Sequence, residues 1–91
     1  MTYNQEKALI KVFMDSEKTL KDALDLIYAF PAECVREGEK EHFGSIVSSQ
    51  TKTYYDIETE YFCIVLSVYQ YSEGYTLSTY AEIEVYEKDS F

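Results

Sequence analysis

Residues 60–88, EYFCIVLSVYQYSEGYTLSTYAEIEVYEK, constrain the fold more than any other stretch of the chain. Apolar and polar side chains alternate on both sides of one glycine, and successive side chains of a β-strand point to opposite faces of a sheet. With Glu73 and Gly74 as the turn, an apolar face forms. Its expected cross-strand pairs are Phe62 with Val85, Ile64 with Ile83, Leu66 with Ala81, and Val68 with Thr79. The pattern predicts one long β-hairpin with a buried face.

The other face of this hairpin collects tyrosines and carboxylates. The same register places Tyr61, Cys63, Val65, Ser67, Tyr69 and Tyr71 opposite Tyr86, Glu84, Glu82, Tyr80, Ser78 and Thr76. Because the apolar face is needed for the core, this second face is the candidate for function.

Length and composition predict a single globular domain over residues 1–91, since 91 residues leave no room for a second core. No apolar run approaches the ~18 residues of a membrane span, and the first residues lack the features of a secretory signal. We therefore expect a cytoplasmic protein, in the host cytosol if the gene is carried by a phage. Cys34 and Cys63 suit free thiols in such a compartment.

The net charge of -9 is unevenly distributed. Residues 54–91 contain eight acidic side chains and only one basic one, Lys88, as well as eight of the ten tyrosines. Such a field opposes direct binding to nucleic acid or to an anionic membrane, because both are negatively charged. It favours a basic protein as the partner.

The N-terminal half is expected to supply a helical layer and one strand. In residues 7–14, Ala8, Ile10, Val12 and Met14 alternate as in a strand, although Leu9, Val12 and Phe13 also fit a helix over residues 4–14. A helix over about residues 16–30 follows. Ser16 is its expected N-cap, Leu20, Ala23, Leu24 and Ile27 form its apolar stripe, and Pro31 ends it.

The middle of the chain is less regular. Residues 31–42 are rich in charge and predict a connector with one short helical turn after Pro31. In residues 43–57, Phe43, Ile46 and Val47 have helical spacing, but the Ser/Thr-rich continuation favours an edge strand over 47–55, followed by a turn over 56–59. The expected fold class is α+β: a two-layer sandwich in which one helix packs on the apolar face of a C-terminal antiparallel β-meander.

No catalytic, cofactor or metal site is predicted. His42 is the only histidine, and with Glu39, Glu41 and Cys34 it gives no paired ligand spacing of the kind that zinc sites use. The three glycines build neither a nucleophile elbow nor a phosphate loop. We expect a binding protein rather than an enzyme.

Surface chemistry leads to a hypothesis of inhibition by nucleic-acid mimicry. Carboxylates two residues apart on a strand lie ~6.6 Å apart and can imitate a row of phosphates, while tyrosines supply contact area at little cost in side-chain entropy. The predicted partner-binding residues are Asp56, Glu58, Glu60, Tyr61, Tyr69, Tyr71, Tyr80, Glu82, Glu84 and Tyr86. The expected partner is the basic groove of a nucleic-acid-binding defence protein, as for inhibitors of the anti-restriction or anti-CRISPR type.

Two alternatives remain open at this level. An immunity protein against a basic toxin would need the same charge and the same aromatic anchors. A homo-oligomeric α+β module would instead pair its exposed strands or bury the tyrosines in a dimer, so the chain is expected to be a monomer or a homodimer.

Overall fold

The computed structural model describes residues 1–45 and 47–88. Its elements are α1 (Tyr3–Met14), α2 (Leu20–Ala29), a 3₁₀ turn (Ala32–Cys34), β1 (Val35–Gly44), β2 (Ser48–Glu58), β3 (Phe62–Glu73) and β4 (Thr76–Glu87). The strands form one antiparallel sheet in the order β1-β2-β3-β4. The α+β class and the C-terminal meander are therefore confirmed. Ile46, which contributed to the helical spacing of residues 43–57, lies outside the described residues.

The long hairpin is present, but its register differs from the predicted one by two residues. Ile64 pairs with Val85 and Leu66 pairs with Ile83, because the loop is Gly74–Tyr75 rather than Glu73–Gly74. Gly74 has a φ of 58°, at the first loop position where a type II′ turn takes glycine. A shift of two residues leaves the side chains within β3 and β4 on their predicted faces, since the side-chain period of a strand is two.

The core lies between the helices and the face of the sheet that carries Ile64. Ile57, Ile64 and Leu66 are fully buried at its centre, where neighbouring strands align them. The remaining buried apolar residues are Ile10, Phe13, Ala23, Leu26, Ile27, Phe30, Phe62, Val68 and Ala81. Both helices therefore contribute to the core, whereas one helix was expected.

The strand predicted over residues 7–14 is wrong, and the alternative helix is observed. Thr2 caps α1: its hydroxyl accepts from the Gln5 amide at 3.2 Å, and the Gln5 side chain accepts from the Thr2 amide at 2.8 Å. This reciprocal capping box fixes the start of the helix. Val12 is 69 % exposed, so the alternation that indicated a strand does not correspond to a buried face.

The second helix begins at Leu20 rather than near Ser16. Ser16 serves the end of α1, where its hydroxyl donates to the Phe13 carbonyl. The N-cap of α2 is Thr19, whose hydroxyl accepts from the Asp22 amide at 3.2 Å, while the Asp22 carboxylate accepts from the Thr19 amide at 3.0 Å. Pro31 follows the C-cap Phe30, as predicted.

Thr19→Ala is therefore expected to destabilise the protein by about 1 kcal/mol, whereas Thr19→Ser keeps the capping hydroxyl and should cost less.

The hydrogen bond from the Thr19 amide also holds the pKa of Asp22 below its usual range. A carboxylate with a lowered folded-state pKa stabilises the fold above its unfolded pKa, and this contribution is lost as the pH falls through the folded value. Urea denaturation between pH 2 and 7 should show a weaker acid dependence for Asp22→Asn. If the free energy of unfolding of Asp22→Asn falls with acid as steeply as that of the wild type, the assignment of the cap is contradicted.

The connector over residues 31–42 contains the predicted helical turn, but most of it is the strand β1. Nearly all of its side chains are exposed, and it is held by its backbone pairing with β2, with an irregularity between Glu37 and Lys40. The strand predicted at 47–55 is observed over Ser48–Glu58, so the turn predicted over 56–59 begins only at Thr59. It is not an edge strand, because β1 covers its outer side.

The loop between α1 and α2 is hydrogen-bonded to β4, the strand at one edge of the sheet. The Ala81 amide donates to the Lys18 carbonyl at 2.9 Å, and Lys18 has a φ of 56°. This contact ties the loop between the helices to the sheet, and both helices pack on the face that carries Ile64. Within the described residues, the α-helices have 12 and 10 residues, and neither has the length and apolarity that crossing a membrane requires.

Candidate partner-binding surface

The face of the sheet turned away from the helices, called here the open face, is built from alternate residues of the four strands. The pairings place on it Arg36, Glu41 and Phe43 from β1, Gln50, Lys52, Tyr54, Asp56 and Glu58 from β2, Cys63, Val65, Ser67, Tyr69, Tyr71 and Glu73 from β3, and Ser78, Tyr80, Glu82, Glu84 and Tyr86 from β4. Six of these side chains are acidic and two are basic.

Eight of the ten predicted partner-binding residues lie on the open face. They are Asp56, Glu58, Tyr69, Tyr71, Tyr80, Glu82, Glu84 and Tyr86. Glu60 is exposed in the turn between β2 and β3. The predicted position of Tyr61 on the tyrosine face is wrong: its ring packs edge-on against Tyr3 of α1, with the centroids 5.7 Å apart, and it borders the core.

Carboxylates form two lines on the open face, with β3 between them. Asp56 and Glu58 lie on β2, and Glu82 and Glu84 lie on β4. In one row across the sheet, Val65 stands between Asp56 and Glu84. Because neighbouring strands are ~4.8 Å apart, the two lines are separated by roughly 10 Å. The acid is thus arranged as two parallel rows beside an uncharged strip.

Tyrosine hydroxyls orient several carboxylates of the open face, within the two lines and outside them. Tyr86 donates to Glu84 at 3.0 Å and Tyr71 donates to Glu73 at 3.1 Å. Each hydrogen bond to a carboxylate raises the pKa of its tyrosine above the ordinary value. Two longer contacts, of Tyr54 with Glu41 at 3.4 Å and Tyr69 with Glu82 at 3.5 Å, add weaker restraint.

One carboxylate of the β2 line is paired within the chain. The Lys88 ammonium lies 2.8 Å from Glu58. This hydrogen bond, together with the charge of Lys88, holds the pKa of Glu58 below its usual range. Glu58 is therefore less available to an incoming cation than Asp56, Glu82 or Glu84, for which no salt bridge is found among the described residues.

The centre of the open face is an aromatic group with a lysine. Tyr69 and Tyr80 are cross-strand partners whose rings stack with 4.6 Å between centroids and 9° between planes. The Lys52 ammonium lies 4.6 Å from the ring centroid of Tyr54 and 5.0 Å from that of Tyr69. The side chains of Tyr54 and, to a smaller extent, Tyr69 raise the pKa of Lys52 above its ordinary value.

Glu41, Lys52, Tyr54 and Glu73 are among the residues of this surface that the sequence-based prediction omitted. Glu41 and Lys52 were missed because β1 was taken for a connector and β2 for an exposed edge. Glu73 was assigned to the turn, although it ends β3. Tyr54 was counted among the tyrosines but not placed on a face. Its two-residue spacing from Lys52 and Asp56 was the available signal, since all three side chains point the same way on a strand.

The thiols and the histidine lie apart from this aromatic centre. Cys34 and Cys63 are free, and Nδ1 of His42 is 3.0 Å from the Thr51 hydroxyl oxygen. Over residues 1–45 and 47–88, no three His, Cys, Asp or Glu side chains are grouped so that they could hold a metal ion. The open face therefore presents mainly carboxylates and phenols, together with the Lys52 ammonium, the Arg36 guanidinium and the Cys63 thiol.

A scan against protein-family models and searches for similar curated proteins and similar solved structures found no match.

Proposed function

We propose that this protein is a small acidic inhibitor that docks its open face into the basic groove of a nucleic-acid-binding protein. A defence protein of the kind that anti-restriction or anti-CRISPR inhibitors block is the proposed target. The protein acts by binding and needs neither catalysis nor a cofactor. The observation that carries the proposal is the pair of carboxylate lines on either side of β3.

The spacing of these lines supports mimicry of a duplex. Glu82 and Glu84 are two residues apart on one strand, about 6.6 Å, which is roughly two phosphate steps along the axis of one DNA strand. The separation between the lines, roughly 10 Å, falls between the widths of the minor and major grooves, about 6 and 12 Å. A groove lined with arginine and lysine for two phosphate backbones would meet charge of the right sign at similar intervals.

Preorganisation further supports the proposal. A flexible acidic side chain loses rotamer freedom on binding, which costs about 0.5–1.5 kcal/mol for each immobilised chain. The hydrogen bond from Tyr86 restricts Glu84 of the β4 line before a partner arrives. The hydrogen bond from Tyr71 likewise restricts Glu73 at the end of β3. The tyrosines thus have two roles, as contact area and as supports for the carboxylates.

Charge reversal tests this proposal. The double variant Glu82→Lys and Glu84→Lys should bind the partner with slower association and a flatter salt dependence, because long-range attraction steers the encounter. The partner would first be captured by pull-down from the host at rising salt, and its binding then measured by surface plasmon resonance.

The matched control is the double variant Glu17→Lys and Glu37→Lys. It changes the net charge equally at two exposed residues outside the open face, since Glu37 pairs with Tyr55 on the helix-facing side of the sheet. Equal weakening by both double variants would mean that net charge alone drives association. Binding that survives the reversal of Glu82 and Glu84 would refute docking through the open face.

Self-association is a second candidate because the end of the sheet carries exposed apolar side chains. Phe43, Val47, Tyr75 and Leu77 are each more than half exposed. Exposed apolar clusters of this kind mark interaction sites. Gel filtration with light scattering tests this candidate, since self-association through these side chains requires a dimer or a larger assembly in solution.

A further inference from the structure

A depression on the open face has the composition of a site for a cationic side chain. Its volume is about 590 Å³, and it continues around the edge of β4. Val65 and Ser67 form its floor, and Tyr54 and Tyr69 border it. Glu82 and Glu84 stand on its β4 side, and Lys18 lines the part that continues around the edge of β4. Small residues between aromatic and acidic ones leave room for a group that both kinds of neighbour attract.

The chain's own lysine indicates what this depression attracts. The Lys52 ammonium is within 5.0 Å of the centroids of both Tyr54 and Tyr69, inside the ~6 Å range of a cation–π interaction. Lys52 forms no salt bridge in the described part of the chain. The rings, rather than a carboxylate, therefore hold the ammonium, and Glu82 is left without a cationic partner among the same residues.

We propose that this depression receives one arginine side chain of the basic partner, and that Lys52 occupies the aromatic part of the site in the free protein. A guanidinium suits the site better than an ammonium does, because it is planar, stacks on aromatic faces and pairs with a carboxylate through two hydrogen bonds. The arginine displaces the Lys52 ammonium from the rings and pairs with Glu82.

This inference rests on the proposed function for the origin of the arginine and adds a specific contact to it. Partners that present only lysine would gain less from the site, so arginine-lined grooves are preferred. Lys52 weakens every such contact by competing for the same rings. Its removal is therefore expected to strengthen binding, an effect that a purely structural lysine would not produce.

The experiment uses N-acetyl-arginine methylamide as the probe and the full chain as the receptor. Ring-proton resonances of Tyr54 and Tyr69 are followed by NMR at low salt during titration of the wild type, Lys52→Met and Lys40→Met. Lys40→Met removes the same charge from β1, where residue 40 pairs with Thr53 on the helix-facing side of the sheet. Lys52→Met should lower the Kd of the probe about two- to fivefold, the factor that corresponds to one exposed cation–π contact.

Each outcome is decisive. The site is supported if the shifts are saturable and the Kd of the arginine probe is lower for Lys52→Met but not for Lys40→Met. The Kd of N-acetyl-lysine methylamide should also be higher than that of the arginine probe. Equal tightening in both variants, or the absence of saturable shifts in Lys52→Met, overturns it. Because the probe needs no partner, the site can fail while charge reversal still weakens partner binding, and the proposed function would then survive without it. Circular dichroism confirms that both variants fold.

Discussion

Replacing Leu66 or Ile64 by alanine is expected to reduce the free energy of unfolding by about 2–5 kcal/mol. Both side chains are fully buried between the sheet and the helices. Their removal forfeits the transfer energy of the lost methyl groups and leaves a cavity that the packed surroundings only partly fill. Because domains of this size are stable by only about 5–15 kcal/mol, either variant should lose a large part of its stability. Urea denaturation at equilibrium measures the loss.

Ile83→Ala is the informative comparison, because Ile83 lies on the same face and pairs with Leu66 but is only half-buried. Because folding removes less apolar area of Ile83 from water, the expected loss in the free energy of unfolding is about 1–2 kcal/mol. Glu84→Ala, on the open face, should change stability by no more than about 0.5 kcal/mol apart from its contact with Tyr86. A loss for Ile83→Ala as large as that for Leu66→Ala would contradict the half-buried position of Ile83.

The hairpin could be predicted from the sequence because its side chains alternate over twelve residues on each strand. Alternation fixes which face a residue occupies but not its partner, since a shift of two residues preserves both faces. The register instead depends on the loop, and the sequence does not distinguish Glu73–Gly74 from Gly74–Tyr75 by its apolar pattern. The structure decides between them, because Glu73 pairs with Thr76 and Gly74, with its φ of 58°, therefore takes the first loop position.

Both errors in the N-terminal half have a physical cause. In α1 the inward stripe is Glu6, Ile10 and Phe13, and a carboxylate on that stripe conceals the helical period. Glu6 is 2 % exposed, and within the described part of the chain its Oε1 has no hydrogen-bond partner, an arrangement that apolar periodicity cannot anticipate. In β1 almost nothing is buried, so no apolar pattern exists to identify it. Backbone hydrogen bonds to β2 hold this strand, and the periodicity of apolar side chains carries no information about such bonds.

These errors also determined how much of the binding surface could be predicted. The carboxylates of β4 and the tyrosines of β3 follow from the hairpin alone, and the structure places them together. The aromatic contacts of Lys52 require β2 to lie beside β3, with Tyr54, Lys52 and Tyr69 on one face. Once β2 is taken as an exposed edge, nothing in the apolar pattern places Lys52 beside Tyr69, and its position at the centre of the open face cannot be predicted.

Tyr69→Ala is expected to weaken partner binding by 2 kcal/mol or more, roughly 30-fold, mainly through faster dissociation. Tyr69 occupies the centre of the open face, where it stacks on Tyr80, contacts Lys52 and is half-buried before any partner binds. A central, rigid aromatic side chain of this kind is the usual anchor of an interface, because its surface is desolvated at little cost in entropy. Loss of the ring also removes the support that Tyr80 gains from the stack.

The matched control is Tyr75→Ala, which removes the same side chain from the fully exposed loop of the hairpin. It should leave both rates nearly unchanged. Tyr69→Phe keeps the ring and removes only a hydroxyl whose contact with Glu82 is 3.5 Å long, so it should retain most of the affinity. Stopped-flow or surface plasmon resonance gives the rates separately. If Tyr69→Ala slows association and leaves dissociation unchanged, the tyrosine acts only by positioning charge. If Tyr69→Ala and Tyr75→Ala are equally neutral, the aromatic centre makes no contact with the partner, and binding through the open face depends on its carboxylates alone.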